Sequence, residues 1–323
     1  MLVISAAEVE ALLPMPAAIT AMRSAMIQVS RREVVLPLRQ FMNIPDAPGK
    51  MAVMPGYIAH PPLFGLKTVS KFVHPPSSPH GSHVGTMQLF DAATGLLLAI
   101  IEGGSLTAIR TAAASALATD ALARPDAAHL AILGCGEQAR RHITAIAAVR
   151  KIKSITIWGR SAERATAFAA SLGRPASVAE SVAEAVAEAD IVCTTTPAAE
   201  PILHGAMLRP GTHINLVGSA IPTTAEADTA LVAMSEYYVD YREAALAAAG
   251  ELRSAIAEGV VTPEHIRGEI GELLLGHAPC RSSAAAITVY KSLGVTAQDL
   301  AAADVVLRAA TAAGLGRVID MHG

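Results

Sequence analysis

The sequence predicts an α/β protein with a doubly wound parallel sheet in the middle of the chain, preceded by an α+β region. Three observations carry this. Residues Ala128 to Arg160, AHLAILGCGEQARRHITAIAAVRKIKSITIWGR, read as strand, glycine turn, helix and second strand, one complete βαβ unit. Downstream, apolar runs alternate with helix-forming stretches, the pattern of a parallel sheet covered on both faces. Upstream, Val34 to Ile101 alternates the short apolar runs MAVMPGYI, GLKTVSKFV, TMQLFDA and LLLAII with Pro, Gly and Asp turns, which reads as an antiparallel sheet.

Taken in chain order, the start MLVISAAEVEALL offers Ser5 and Glu8 as a capping box, so it opens an ordinary helix; it lacks the basic n-region of a secretory signal. A long alanine-rich helix is expected over roughly Leu106 to Ala123, stopped by Arg124-Pro125-Asp126. Beyond the βαβ strand at Ile155 to Trp158, helices are expected from Ala162 and from Ser181. Strands follow at DIVCTT from Asp190, HINLVG from His213 and YYVD from Tyr237. The tail from Thr296 is helical again.

The glycine turn has the form GxGxxA. Gly134 permits the tight turn, Gly136 lets a pyrophosphate approach the backbone, and Ala139 lets helix and sheet pack closely, as in a Rossmann dinucleotide site. The helix opening at Glu137 then presents free N–H groups to phosphates. Where an acid would read the ribose 2′-hydroxyl of NAD, this chain has Trp158, Gly159, Arg160 and Ser161, with Arg164 one turn on. That pattern favours a 2′-phosphate and hence NADP(H), with NAD(H) as the alternative; a solvated arginine at a strand end is the plainer reading of Arg160. Ligands of such sheets bind beyond the carboxyl ends of the strands, which here carry Thr194, Thr195, Thr196 and Pro197, and Val217, Gly218 and Ser219. Ordinary turn residues would look the same.

Composition narrows the partners. With 323 residues and 52% hydrophobic content, the chain has enough apolar material for two cores. A net charge of −3 and 3% aromatics supply neither the basic field nor the stacking platform of a nucleic-acid binder. Charged residues interrupt each apolar run short of the roughly 20 residues a membrane span needs. Cys135, Cys193 and Cys280 are scattered singly without metal or redox spacing, which points to reduced thiols in the cytoplasm. His74, His80 and His83 share a Pro/Ser/Gly-rich stretch without the spacing of a metal site, so no metal is expected.

With these pieces in place, the chain resembles the ornithine cyclodeaminase/mu-crystallin family. The resemblance runs over nearly its whole length, through VMPGYI, GLKTVSKF, LFDAATGLLLAIIEG, LTAIRTAAASALA, ILGCGEQA, PILHGAMLRPGTHINLVGS, IGELLLG and VYKSLGVTAQDLAAA. It implies a homodimer, a substrate-binding and dimerisation domain over residues 1–115 and 300–323, and an NAD(P)-binding Rossmann domain over residues 116–299.

The family's substrate-carboxylate ligands fall on Arg39, Lys67 and Arg110; Lys67 and Arg110 are expected to be catalytic, with the proton for the imine nitrogen coming from Lys67 or from water. Fixed positive charge suits an α-carboxylate, and arginine offers a planar fork. Arg110 sits in an otherwise apolar helix, where a buried guanidinium needs a partner; a bound anion or a local carboxylate such as Glu102 would serve. The reductase branch implies cofactor contacts at Ser82, His83, Glu137, Gln138, Arg160, Ser161, Arg164, Val217 and Ser292. Two departures stand out. Cyclodeaminases carry an Asp where this chain has Ala220 and a Glu where it has Ala52, so the resemblance favours simple reduction of a cyclic ketimine, Δ1-pyrroline-2-carboxylate or Δ1-piperideine-2-carboxylate, to L-proline or L-pipecolate. An amino-acid dehydrogenase of the alanine type, a cyclodeaminase-like lyase and a non-catalytic NADPH-dependent binding protein remain as alternatives.

Overall fold

A computed structural model describes residues 1–47, 49–72 and 83–320. The chain divides into two compact units, residues 1–111 with 294–323, and residues 112–293.

In the first unit, an eight-stranded mixed sheet runs in the order Arg317–Val318, Leu2–Ile4, Leu97–Glu102, His83–Asp91, Leu63–Phe72, Gly49–Ile58 and Val34–Val35, with Gln40–Asn43 also pairing on Gly49–Ile58. The pairings are antiparallel except for Leu2–Ile4 on Leu97–Glu102. Period-2 alternation sets the faces. Ala52, Met54, Gly56 and Ile58 are buried on one strand, and Leu63, Gly65, Lys67 and Val69 on its neighbour. Lys67 is therefore a lysine in the apolar row of its strand. The helix Thr296–Ala313 packs on these two strands, and the helix Met15–Ser30 packs on it in turn, burying Ala18, Ala21, Met22, Ala25, Met26 and Val29 at helical spacing. The expected capping box is present: Ser5 opens the helix Ala6–Leu12, and Glu8 reaches back to its backbone N–H at 2.8 Å.

The alanine-rich helix spans Gly103–Leu122, three residues earlier than its apolar pattern suggests. Glu102 explains the early start. Its two carboxylate oxygens accept from the N–H groups of Gly104 at 2.6 Å and Ser105 at 2.8 Å, capping the first turn.

In the second unit, eight parallel strands follow the order Ser177–Val178, Ser154–Trp158, His129–Leu133, Ile191–Thr194, His213–Leu216, Thr288–Lys291, Glu236–Val239 and Ile266–Glu269. The direction of strand addition reverses between His129–Leu133 and Ile191–Thr194, which is where a doubly wound sheet opens its ligand crevice. Both faces are covered. Leu130 and Ile132 pack with Ile143, Ile146 and Phe168, while Ala131 and Leu133 pack with Val182, Val192 and Ile214. Three strands were not apparent from pattern. Ser177–Val178 and Ile266–Glu269 lie at the two edges, and Thr288–Lys291 enters between two earlier strands although it is the last of this sheet in chain order. Among the described residues, no helix is long and apolar enough to cross a membrane.

Candidate active site

The second unit builds its glycine turn as the motif requires. Gly134 follows the strand His129–Leu133 with φ +123°, and its N–H donates to the Trp158 carbonyl at 2.8 Å. A Cβ at Gly134 would lie 2.6 Å from Thr195 Oγ1, so only glycine fits here. Gly136 caps the helix Glu137–Val149 and is exposed, and a Cβ there would meet nothing within 4 Å. Among the described residues no side chain caps this helix, so its first-turn N–H groups remain to be satisfied. An open, uncapped helix start behind a bare turn fits a phosphate. Ala139 is buried behind it. Glu137 pairs loosely with Arg141 at 3.6 Å, and the Gln138 carbonyl accepts from His142 Nδ1 at 2.7 Å. The other ring nitrogen of His142 accepts from Ser115 Oγ at 2.9 Å, and burial lowers its pKa to about 4, so the imidazole is neutral.

Beside this turn, Ser161 caps the helix Ala162–Ala170, its Oγ accepting from the Arg164 N–H at 3.3 Å. Arg160 and Arg164 are both exposed, and among the described residues neither side chain has a partner. They suit a phosphate monoester by charge and by availability.

The next two strand ends are tied together by Glu226, a residue no motif signals. It is fully buried. One carboxylate oxygen accepts from the N–H and the hydroxyl of Thr196, both at 2.7 Å. The other accepts from Thr194 Oγ1 at 2.7 Å, Gly218 N–H at 2.6 Å and Ser219 N–H at 3.2 Å. Thr195 completes the link back to the glycine turn by donating its N–H to the Leu133 carbonyl at 2.8 Å. Gly218 has no room for a side chain because a Cβ would run into the Thr196 backbone. Burial pushes the Glu226 pKa up, while Thr194, Thr196 and the Lys291 charge pull it back. Lys291 is itself buried, donating to the Ser219 carbonyl at 2.5 Å and paired with Glu251 at 2.7 Å. Val217 donates its N–H to Thr194 O at 3.1 Å. Ser292 is buried, with its N–H on Leu216 O at 3.0 Å and its hydroxyl unpartnered among the described residues. Ser82 lies outside the described residues; His83 opens the strand His83–Asp91, opposite Lys71.

In the first unit, Lys67 and Arg110 converge on one acid. Lys67 Nζ lies 2.8 Å and Arg110 Nε 2.9 Å from Asp299 Oδ1, and Arg110 Nη1 donates to Gln298 Oε1 at 2.8 Å. All three ionised groups are buried. The carboxylate partner of Arg110 is thus Asp299, not Glu102, which is occupied in capping. Arg39 is half-buried, and its Nη2 donates to Gly294 O at 3.0 Å. Burial lowers the Lys67 pKa to about 7; the Arg110 and Arg39 charges add to the drop and Asp299 opposes it. Burial raises the Asp299 pKa, but the Arg110 and Lys67 charges outweigh it and hold the carboxyl below its usual range.

The family model for the ornithine cyclodeaminase/mu-crystallin family matches residues 1–313. The chain belongs to this family. Within it, the chain is 36% identical over 273 residues to the ketimine reductase mu-crystallin of Mus musculus, covering 84% of each chain. It is 36% identical over 327 residues to the Δ1-pyrroline-2-carboxylate reductase of Bacillus cereus, covering 99% of this chain and 100% of that one. Its fold matches the structure of Thermococcus litoralis Δ1-pyrroline-2-carboxylate reductase in complex with NADH and L-proline with a TM-score of 0.95 at 32% identity, covering 99% of this chain and 100% of that chain. These family members are all named as reductases.

Proposed function

We propose that the protein is an NAD(P)H-dependent reductase of cyclic ketimines, acting on Δ1-pyrroline-2-carboxylate or Δ1-piperideine-2-carboxylate and forming L-proline or L-pipecolate. The observation that carries this reading is the buried Lys67–Asp299–Arg110 cluster in a member of a reductase-bearing family. Asp299 occupies Arg110 Nε and one Nζ proton of Lys67, fixing both side chains. Arg110 Nη2, which has no partner among the described residues, and the remaining Nζ protons are then available to a substrate carboxylate. Each such charged hydrogen bond contributes about 1.5 to 3 kcal/mol.

For the cofactor, the first-turn N–H groups after Gly136 would hold the pyrophosphate, and Arg160, Ser161 and Arg164 the 2′-phosphate, so NADP(H) is preferred over NAD(H). Thr194 to Thr196, Val217 to Ser219 and Ser292 would line the nicotinamide half, with Ser82 and His83 as further contacts. When bound, the reduced nicotinamide supplies a hydride that forms the new C–H bond at the imine carbon. The C=N π pair passes to nitrogen, which must be protonated. Lys67, poised near neutrality by burial, holds a proton at Nζ for that nitrogen. Ala52 and Ala220 provide no acid for cyclodeamination.

The protein acts in the cytoplasm, in keeping with three unpaired cysteines, and as a homodimer. The exposed Val35, Leu38, Phe41 and Met42 of the first unit offer an apolar surface for self-association. The test is NADPH oxidation with a panel of cyclic imines and 2-oxo acids, run beside NADH. Stoichiometric oxidation with a cyclic imine supports the reading. Turnover only with pyruvate and ammonium would make the protein an amino-acid dehydrogenase, and tight NADPH binding without turnover would make it a binding protein.

A further inference from the structure

Lys291 ends the strand Thr288–Lys291 in the interior of the second unit's sheet, in register with Leu216 on one side and Val239 on the other. It stands at the carboxyl end of the strand, the side on which a doubly wound sheet binds its ligands. Its side chain is fully buried, and a buried ammonium is costly unless paired. Lys291 has two partners: Glu251 Oε1 at 2.7 Å, itself fully buried, and the Ser219 carbonyl at 2.5 Å. Apart from Lys291, neither carboxylate oxygen of Glu251 has a hydrogen-bond partner among the described residues. Glu251 lies in the first turn of the helix Gly250–Ala257, which is packed on the same loop, since a Cβ at Gly250 would run into the Thr224 carbonyl.

Ser219 is thereby held at each of its polar groups. Its N–H donates to Glu226 at 3.2 Å, its hydroxyl donates to the Thr224 carbonyl at 2.5 Å, and its carbonyl accepts from Lys291. The Lys291 charge also favours the ionised form of Glu226, the acid that accepts from Gly218, Thr194 and Thr196. Gly218 is exposed while Ser219 is buried, so the anchor lies one residue behind an open strand end. Stability alone does not call for this arrangement, because a buried ion pair is often no more stable than apolar side chains of the same volume. What apolar residues would not supply is a fixed direction for the Ser219 carbonyl.

Resting on the reductase reading, in which Val217 to Ser219 line the nicotinamide half of the cofactor, we propose that Lys291 is a positioning residue for hydride transfer. Paired with Glu251, it fixes Ser219 and with it the Gly218 backbone on which the nicotinamide rests in that reading. It acts through Ser219 and touches neither cofactor nor substrate. A strand end free to shift would let the nicotinamide carbon stray from the imine carbon, and transfer slows steeply with small misplacement. The phosphate-bearing half of the cofactor, assigned to Gly136, Arg160 and Arg164, does not depend on the pair.

The experiment compares the full-length protein with Lys291→Met, Glu251→Gln and the double variant Lys291→Met with Glu251→Met. Each is followed by thermal melting, by titration with NADPH and with 2′,5′-ADP, and by steady-state reduction of Δ1-pyrroline-2-carboxylate. Lys291→Met leaves Glu251 a lone buried acid, so its melting temperature should drop, and the double variant, with neither charge, should recover most of it. In the double variant kcat is expected to be at least roughly tenfold lower and NADPH binding at least roughly tenfold weaker, with the KM for the imine within about twofold. Binding of 2′,5′-ADP should stay as in the wild type. Glu251→Gln keeps the volume and should move the same readouts in the same direction. A double variant with wild-type kcat and NADPH affinity overturns the proposal, because the pair then serves stability alone. Loss of 2′,5′-ADP together with NADPH, or failure of all three variants to fold, assigns the pair to the fold and overturns it as well. If the wild-type protein binds NADPH but reduces no cyclic imine, the reductase reading fails by itself. The ratio of NADPH to 2′,5′-ADP affinity then decides the positioning role: a shift of roughly tenfold in the double variant upholds it, and an unshifted ratio overturns it.

Discussion

Lys67 Nζ stands 2.8 Å from Asp299 Oδ1, with both side chains buried, so the charge state of the lysine depends on an acid 232 residues further along the chain. Burial alone favours the neutral amine, and Asp299 is what keeps the ammonium populated up to a pKa of about 7. The kcat/KM for imine reduction, which reports the free enzyme, is therefore expected to fall as pH rises through about 7, as Lys67 loses its proton. In Asp299→Asn the supporting charge is gone, and the alkaline limb moves to lower pH. A pH–rate profile of both proteins, with thermal melts to confirm folding, checks this; an unmoved limb would assign the titration to another group.

Cofactor selectivity is expected to reside in Arg160 and Arg164. Both are exposed and unpartnered among the described residues, so their replacement should leave the melting temperature in place. Arg160→Ala with Arg164→Ala should raise the KM for NADPH by roughly tenfold or more, from the loss of charged hydrogen bonds, with NADH little changed. Equal losses for the two cofactors would remove the 2′-phosphate assignment.

Glu226 makes five hydrogen bonds that hold Thr194, Thr196, Gly218 and Ser219 in one arrangement. In Glu226→Gln, an amide NH2 replaces an oxygen that accepts at least two of them. The expected outcome is roughly tenfold weaker NADPH binding by fluorescence titration, with 2′,5′-ADP, which lacks the nicotinamide half, bound as before. Loss of both ligands together would mean a general collapse of the unit instead.

His142 and His213 are buried with pKa values lowered to about 4 and about 3, burial being the main cause for each, and both titrate near 6.5 when unfolded. Between those values the unfolded chain binds protons that the fold refuses. Stability therefore declines as pH falls from about 6.5 toward 4, by up to about 1.4 kcal/mol per pH unit for each histidine. Urea unfolding at pH 7 and pH 5 measures this, and His142→Gln should reduce the difference by about half, with His213 carrying the rest; an equally steep loss in that variant would place the acid sensitivity elsewhere.

Local pattern made much of the second unit legible. The turn at Gly134 and Gly136, the strands at Ile191 and His213, and the helices after Gly136 and Ser161 follow from period, glycine chemistry and capping, which involve near neighbours. The partners of the cation cluster do not. Arg110 was open to an acid a helical turn or two away, but Glu102 is spent on the helix start, and the acid that serves lies 189 residues downstream on another helix. Asp299 and Gln298 occupy an alanine-rich stretch where nothing local separates a buried acid from a solvated one. Glu226 likewise sits in a loop of unremarkable composition. The placing of Thr288–Lys291 between two earlier strands depends on covering both sheet faces, which period does not encode, and its buried Lys291 hides the strand further.

The most direct test of the account is NADPH oxidation by the purified protein with Δ1-pyrroline-2-carboxylate and Δ1-piperideine-2-carboxylate, scored against product formed. One NADPH consumed for each L-proline or L-pipecolate is the predicted result. No oxidation with any cyclic ketimine, with the dinucleotide shown to bind, would contradict it.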